Sequence, residues 1–420
     1  MRRPASLALY ATAAGLAGAF APGILQHRVW RGKEDPERLG ERLGRAVLPR
    51  PDGRLVWLHG ASVGEGLSLL PLIDQLRATR PDLGVLITTG TRASAELMAQ
   101  RLPEGVIHQF APVDTPAAAA RFIAHWRPDL GVFVESELWP NLIAAARAGG
   151  ARLALVSARI SEASFRGWRR FPDAAAMMLG AFDLIMARDE AAATRFTALG
   201  GRVEGVWDAK LGAEPLPADP EALATLREAL ADRPVLLAAS THAGEDAMVM
   251  SAFAQAAEAR PDALLVLAPR HPIRGGEVEA QAGAQGLPTA RRSLAEDPAG
   301  ARVYIADTLG EIGLFLRLAR LAIVGGSLIA GTGGHNPMEP ARLGCPFVVG
   351  PHTEHWPVYE VFLTARSTLR VESANQIAAV MSEALAGRLA KMSARASKVA
   401  ARLDGESRAL APRLLAMVEP

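Results

Sequence analysis

Short apolar runs recur along this chain, and each is followed by a stretch whose apolar positions repeat with a helical period. Leu55-Val56-Trp57-Leu58 precedes a glycine turn, and Leu67 to Leu76 then has the period of a helix. Gly84 to Thr89 predicts a second strand, with a helix from Ser94. Leu130 to Val134 and Leu153 to Val156 predict two more buried strands. The rhythm fades over 206–220, a polar segment punctuated by Pro215, Pro217 and Pro220, which reads as an interdomain linker. It restarts with Val235 to Ala239, Ala263 to Leu267, Val303 to Ile305, Leu321 to Val324 and Pro346 to Val349, and the tail from Gln376 is helical and alanine-rich. Continuous apolar strands alternating with helices predict parallel sheets covered on both faces. The expected fold class is therefore α/β, with two Rossmann-like domains facing a cleft. Their expected extents are 28–208 and 209–420, with the terminal helix able to pack back on the first domain.

The start of the chain breaks the pattern. No Asp, Glu, Lys or Arg occurs between Arg3 and Arg28, a span about long enough to cross a bilayer. Ala19-Phe20-Ala21 resembles a signal-peptide cleavage site, but Pro22 directly after it argues against cleavage. Arg28, Arg31 and Lys33 outnumber Arg2 and Arg3, which places the bulk of the protein on the cytoplasmic side. Residues 1–27 are thus expected to be an uncleaved membrane anchor, spanning or interfacial.

Composition narrows the rest. Half of the 420 residues are hydrophobic, enough for two cores. The formal net charge of +2 gives no general case for nucleic-acid binding. Cys345 is the sole cysteine, so it has no internal disulfide partner, and its setting before Phe347-Val348-Val349 predicts buried packing. No cysteine–histidine cluster has zinc spacing.

The candidate chemistry sits in the loops after the predicted strands, where open α/β sheets bind ligands. His59-Gly60-Ala61-Ser62-Val63-Gly64-Glu65-Gly66 follows the first strand. Ser62 and Glu65 have the spacing of a capping box, and Glu65 is equally placed to take a proton from a hydroxyl. Glu135-Ser136-Glu137-Leu138-Trp139-Pro140-Asn141 puts two carboxylates and a tryptophan at another strand end. In the second half, Ser240-Thr241-His242-Ala243-Gly244-Glu245-Asp246 reads as a helix start capped by Ser240 or Thr241. Pro269-Arg270-His271-Pro272 places a cation suited to phosphate at a sheet edge. Asp307-Thr308-Leu309-Gly310-Glu311 offers a carboxylate for ribose hydroxyls. Gly325-Gly326-Ser327 and Gly333-Gly334-His335-Asn336-Pro337-Met338-Glu339-Pro340 read as a cradle of backbone N–H groups for a phosphate or sugar nucleotide. Lys210 stands in the linker, as a solvated lysine or as a cation for a departing group.

At these residues the chain resembles the Kdo (3-deoxy-D-manno-octulosonic acid) transferases of Gram-negative bacteria, which act in lipid A assembly. The matching segments are RGKEDPERLGERLG, HGASVGEG, ESELWPNL, STHAGED, PRHP, DTLGE, GGSL, GGHNPMEPA and GPHTEHW, in family order from residue 31 to about 356. The resemblance implies an inverting GT-B glycosyltransferase that moves Kdo from CMP-Kdo to a lipid A precursor (lipid IVA) in lipopolysaccharide synthesis. It implies Glu65 as general base, with Glu135 and Lys210 stabilising the transition state. It implies CMP contacts at Pro269 and Arg270, at Gly310, Glu311 and Ile312, and at Asn336, Pro337, Met338 and Glu339. No metal or other cofactor is implied, and the expected location is the cytoplasmic face of the bacterial inner membrane. Two positions depart from the family pattern: the loop Ile329-Ala330-Gly331-Thr332 is one residue longer, and Asp208 replaces a neutral residue before Lys210. The rival enzyme reading is another GT-B transferase or an epimerase that uses a UDP-sugar.

Overall fold

A computed structural model describes residues 4–212 and 214–419. The chain divides into two compact units, Met1–Ala213 with Asp404–Pro420, and Glu214–Leu403. The break therefore falls after Ala213, where the sequence pattern places it after Asp208.

The first unit is built on seven strands: β1 Leu55–His59, β2 Gly84–Thr89, β3 Ile107–Phe110, β4 Leu130–Val134, β5 Arg152–Ala158, β6 Leu184–Ala187 and β7 Val203–Val206. They pair in the order β3-β2-β1-β4-β5-β6-β7, and every pairing is parallel. Parallel strands need crossovers, and helices supply them on both faces, which is why β1 and β4 are buried at every residue. One face packs around Trp57, whose ring meets Phe122 and Phe133 at centroid distances of 5.0 Å each. The other face is closed by the helix Val63–Thr79 and by the C-terminal helix Leu410–Val418, with Leu69, Leu72, Leu410 and Leu414 in its core. The indole of buried Trp207 donates to the Ser407 carbonyl at 2.9 Å and so pins the C-terminal segment to this unit.

The second unit repeats the plan with β8 Val235–Thr241, β9 Leu264–Pro269, β10 Thr289–Arg291, β11 Val303–Ile305, β12 Ala319–Val324, β13 Phe347–Val349 and β14 Leu369–Arg370. The order is β10-β11-β9-β8-β12-β13-β14, again all parallel. In both sheets the strand order reverses beside the first strand, between β1 and β4 and between β8 and β12. A crevice opens at such a switch point, because the two crossovers leave on opposite faces. Cys345 is buried in the second unit, where burial pushes its thiol up to about 12, so packing and not reactivity describes it.

The N-terminal expectation changes in form. Residues 5–30 make two helices, Ala5–Gly18 and Ala21–Trp30, bent by 60°, and Pro22 sits in the first turn of the second. Among the described residues no single helix is long and apolar enough to cross a membrane. Leu7 is buried in the core of the first unit, while Leu9, Leu16, Phe20 and Trp30 are each at least 70 % exposed.

Candidate active site

In the first unit the switch point gathers carboxylates. Ser62 caps the helix Val63–Thr79 by accepting from the Glu65 N–H at 3.2 Å. The reciprocal half of a capping box is absent. The Glu65 carboxylate instead accepts from the Ala61 N–H at 2.7 Å and from the Ser62 hydroxyl at 2.9 Å. These bonds hold the carboxylate over the end of β1, and Gly60 leaves the room for it. A Cβ at Gly60 would come within 3.0 Å of the Glu65 Cβ.

Glu135 and Glu137 reach the same place by a turn, not by strand alternation, because β4 ends at Val134. Glu135 adopts φ +59°, unusual for a residue with a Cβ, and Ser157 beside it at the end of β5 adopts φ +49°. Paired strain of this kind is retained where surrounding structure holds it. Arg159 binds the Glu135 carboxylate at 2.7 Å. Glu137 lies 3.4 Å from buried His59 and accepts from the Trp139 indole. Burial raises the Glu137 pKa, but the hydrogen bond and charge of His59, with the Trp139 bond, outweigh it and leave Glu137 lowered. Glu65 moves the other way. Burial raises it most, the negative charge of Glu137 adds to that, and the Ser62 and Ala61 hydrogen bonds only partly oppose. Two neighbouring carboxylates are thus driven apart in pKa, one held ionised and one poised to take a proton. Lys210 lies in the short 3-10 helix Ala209–Gly212, and its side chain is outside the described ones.

In the second unit the corresponding crevice lies between the ends of β8 and β12. Gly325 is obligatory there, since a Cβ would sit 2.5 Å from the Ser240 carbonyl oxygen. The expected N–H cradle, however, is spent inside the protein. The Gly325 N–H donates to Ala239, those of Gly326 and Leu328 to the Glu245 carboxylate at 2.8 Å each, and that of Gly334 to Gly326. Glu245 also accepts from the His242 N–H at 2.8 Å, so one fully buried carboxylate ties the β8 loop to the β12 loop. The helix Glu245–Ala256 is capped by Gly244 in the left-handed region, not by Ser240 or Thr241. Thr241 is still in β8, and Ser240 has φ +59°. Glu245 was not singled out from sequence. Its signal is a carboxylate at the start of an apolar helix, which solvated first-turn residues share.

A small hollow beside these loops is lined by Ser240, Ile312, His335, Asn336 and Glu339 among others. His335 stacks on His242 with an interplanar angle of 13° and an Nε2···Nε2 distance of 3.0 Å, which needs one protonated and one bare nitrogen. Burial, helped by His242 and Arg270, lowers His335 to about 4, so it is neutral near pH 7. Burial raises Glu339 to about 7, against the opposing charges of Arg342 and Arg270 and the Asn336 hydrogen bond. Arg270 follows directly on Pro269, the last residue of β9, and is exposed. Among the described residues its side chain makes no ion pair.

The carboxylates expected to hold ribose hydroxyls are occupied. Asp307 accepts from Arg291 at 2.7 and 3.0 Å and from the Ser293 N–H and hydroxyl. Glu311 accepts from Arg292 at 2.6 to 3.2 Å and from the Thr308 hydroxyl. Both brace the loop that carries Gly310, at φ +83°, and the helix start at Ile312. Asn336, Pro337, Met338 and Glu339 run together into the short helix Met338–Arg342, where Asn336 Oδ1 accepts from the Met338 N–H at 3.0 Å.

Comparison with known proteins gives this geometry a family. The family model described as 3-deoxy-D-manno-octulosonic-acid transferase (kdotransferase) matches residues 37–211. The chain is 35 % identical over 349 residues to the probable mitochondrial 3-deoxy-D-manno-octulosonic acid transferase of Arabidopsis thaliana, covering 80 % of this chain and 78 % of that one. It is 38 % identical over 332 residues to the 3-deoxy-D-manno-octulosonic acid transferase of Bordetella pertussis, covering 76 % of each. In fold it is similar to a glycosyltransferase from Rickettsia africae ESF-5, with a TM-score of 0.59, 11 % identity, and coverage of 87 % of this chain and 99 % of that one. That likeness concerns the fold alone, a GT-B-like pair of α/β units. With more than a third of residues identical to curated members across three quarters of their length, the chain belongs to the 3-deoxy-D-manno-octulosonic acid transferase family.

Proposed function

We propose that the protein transfers Kdo from CMP-Kdo to a hydroxyl of a lipid A precursor, with inversion, in lipopolysaccharide synthesis. The observation that carries this reading is the Glu65 carboxylate at the first switch point. It is fixed by two hydrogen bonds, half-buried, and raised in pKa beside Glu137. A base for a sugar hydroxyl needs a pKa raised toward the working pH and a fixed position; the Glu65 pKa is shifted in that direction, and its two hydrogen bonds fix it. Its carboxylate takes the acceptor proton as the acceptor oxygen bonds to the anomeric carbon. The bond from that carbon to the CMP phosphate breaks on the opposite face, and CMP departs with the electron pair.

The reacting carbon bears a carboxylate and no neighbouring hydroxyl, so positive charge develops on it in the transition state. Glu135, paired with Arg159, and Lys210 are assigned to stabilise the charges that form and separate. In the second unit Arg270 meets the departing phosphate, and Asn336 and Glu339 meet the nucleoside, with Pro269, Pro337 and Met338 shaping the contact. The backbone of Gly310 to Ile312 serves the nucleotide, because the Glu311 side chain is committed to Arg292. The reading uses no metal and no other cofactor. The bent helix pair 5–30 attaches the chain to the inner membrane at its cytoplasmic face, in the interface or across it. Its exposed Leu9, Leu16, Phe20 and Trp30 support that attachment, together with the basic Arg31 and Lys33 that follow.

The test is Glu65→Ala. Transfer falls by at least about 100-fold, the usual worth of general base catalysis, while thermal protection by CMP is unchanged. Turnover near the wild-type rate would remove Glu65 from the chemistry.

A further inference from the structure

In the first unit the helix Ala5–Gly18 lies beside the segment that follows β4 and beside residues 168–174, and together they enclose an open groove of about 590 Å³. Its walls include Leu7, Tyr10, Ala13, Trp139, Trp168 and Phe171. The volume is that of a small-molecule site, roughly 300–1,000 Å³. Leu7 is buried at one wall, and Tyr10 is fixed by its hydroxyl, which donates to Asp114 at 2.9 Å. The groove is thus held open by structure and is not a loose seam.

Two features say what enters it. The first is continuity with the carboxylate cluster: Glu137, which accepts from Trp139 and lies against His59, also lines the groove. The second is the character of the rim. The helix Glu162–Trp168 buries none of its residues although it carries Phe165 and Trp168. Phe171 and Trp139 are 55 % and 40 % exposed. Between the lining residues Trp168 and Phe171 stand Arg169 and Arg170, both exposed and, among the described residues, without an ion pair. An apolar trough with a cationic rim beside a sugar-hydroxyl base fits a lipid with an anionic headgroup.

We propose that this groove receives an acyl chain of the acceptor, with Arg169 and Arg170 beside the acceptor's anionic headgroup. The assignment rests on the proposed transfer to a lipid acceptor and adds where the lipid tail lies. It makes Ala13 and Trp139 specificity determinants that never touch the reacting atoms.

The experiment compares a tetraacylated lipid A precursor with its chemically deacylated form, using the full chain in detergent solution and CMP-Kdo as donor. The wild type uses the acylated acceptor with the higher kcat/KM. Ala13→Trp, on the exposed flank of the groove, fills it and reduces the acylated-to-deacylated ratio by about tenfold, the worth of roughly two buried methylenes. Ser6→Trp, from another point of the wall, does the same, and stands in if the first variant loses CMP-dependent thermal protection. A ratio unchanged in both folded variants, or a wild type indifferent to acylation, overturns the groove assignment while leaving the transferase reading intact. A wild type that turns over neither acceptor overturns the transferase reading and the groove assignment with it.

Discussion

In the proposed reaction Glu65 accepts a proton while sitting where carboxylates repel one another. Burial and the charge of Glu137 raise its pKa, and the Ser62 and Ala61 bonds preserve its position. Removing the neighbouring charge therefore lowers it. In Glu137→Gln the acid limb of the pH dependence of kcat/KM moves to lower pH, and a limb that stays in place would show that Glu137 does not tune Glu65. Glu339 gives a stability counterpart. Its ordinary value of 4.5 is raised to about 7 by burial, so the folded protein holds the proton more tightly than the unfolded chain. The stabilisation is fully present below about pH 4.5 and is lost as pH rises through about 7. Across that window unliganded protein loses on the order of 2 kcal/mol from this group, discounted for its partial exposure. Glu339→Gln removes that slope in urea unfolding measured from pH 5 to 8. A slope equal to that of the wild type would place the titration elsewhere.

At the scale of elements, the loops after β8 and β12 act as one piece because Glu245 accepts three backbone N–H groups. Glu245→Ala leaves these buried donors without partners and costs about 3 kcal/mol or more, read as a fall in the urea midpoint. It also weakens CMP protection, since His335 to Glu339 lose their footing. Unchanged unfolding would mean that water replaces the carboxylate. This tie shows why the glycine-rich stretch was only half legible in sequence. Glycine density correctly marks a tight site, but it does not say whether the N–H groups face a ligand or a buried carboxylate 81 residues upstream of Gly326. The strands divide in the same way. β1, β4, β8 and β12 carry continuous apolar runs because they are buried on both faces. β3 hides in Ile107-His108-Gln109-Phe110, where Gln109 accepts from the Trp126 indole at 2.7 Å and so sits buried despite its polarity. β7 and β14 lie at sheet edges, with two of four and both of two residues exposed, so neither presents an apolar run.

On the scale of the whole molecule, each of the two units has a strand order that reverses beside its first strand, and each places its candidate chemistry at that point. Both units were visible in the hydrophobic rhythm. The terminal helix packs back on the first unit as expected, with Leu410 and Leu414 in its core and the Trp207 indole on the Ser407 carbonyl, partners 200 residues apart in sequence. The N-terminal segment was legible as apolar but not as bent, because a stretch rich in alanine and glycine fits one helix or two until Pro22 and its neighbours are placed. Membership in the 3-deoxy-D-manno-octulosonic acid transferase family supplies the reaction class, and the proposed function assigns its base to Glu65. The most direct measurement is the mass of a tetraacylated lipid A precursor after incubation with the full chain and CMP-Kdo. The account predicts a product heavier by one or more Kdo residues, with one CMP released for each, formed at least about 100-fold more slowly by Glu65→Ala. An acceptor of unchanged mass in the presence of folded wild-type protein would contradict it.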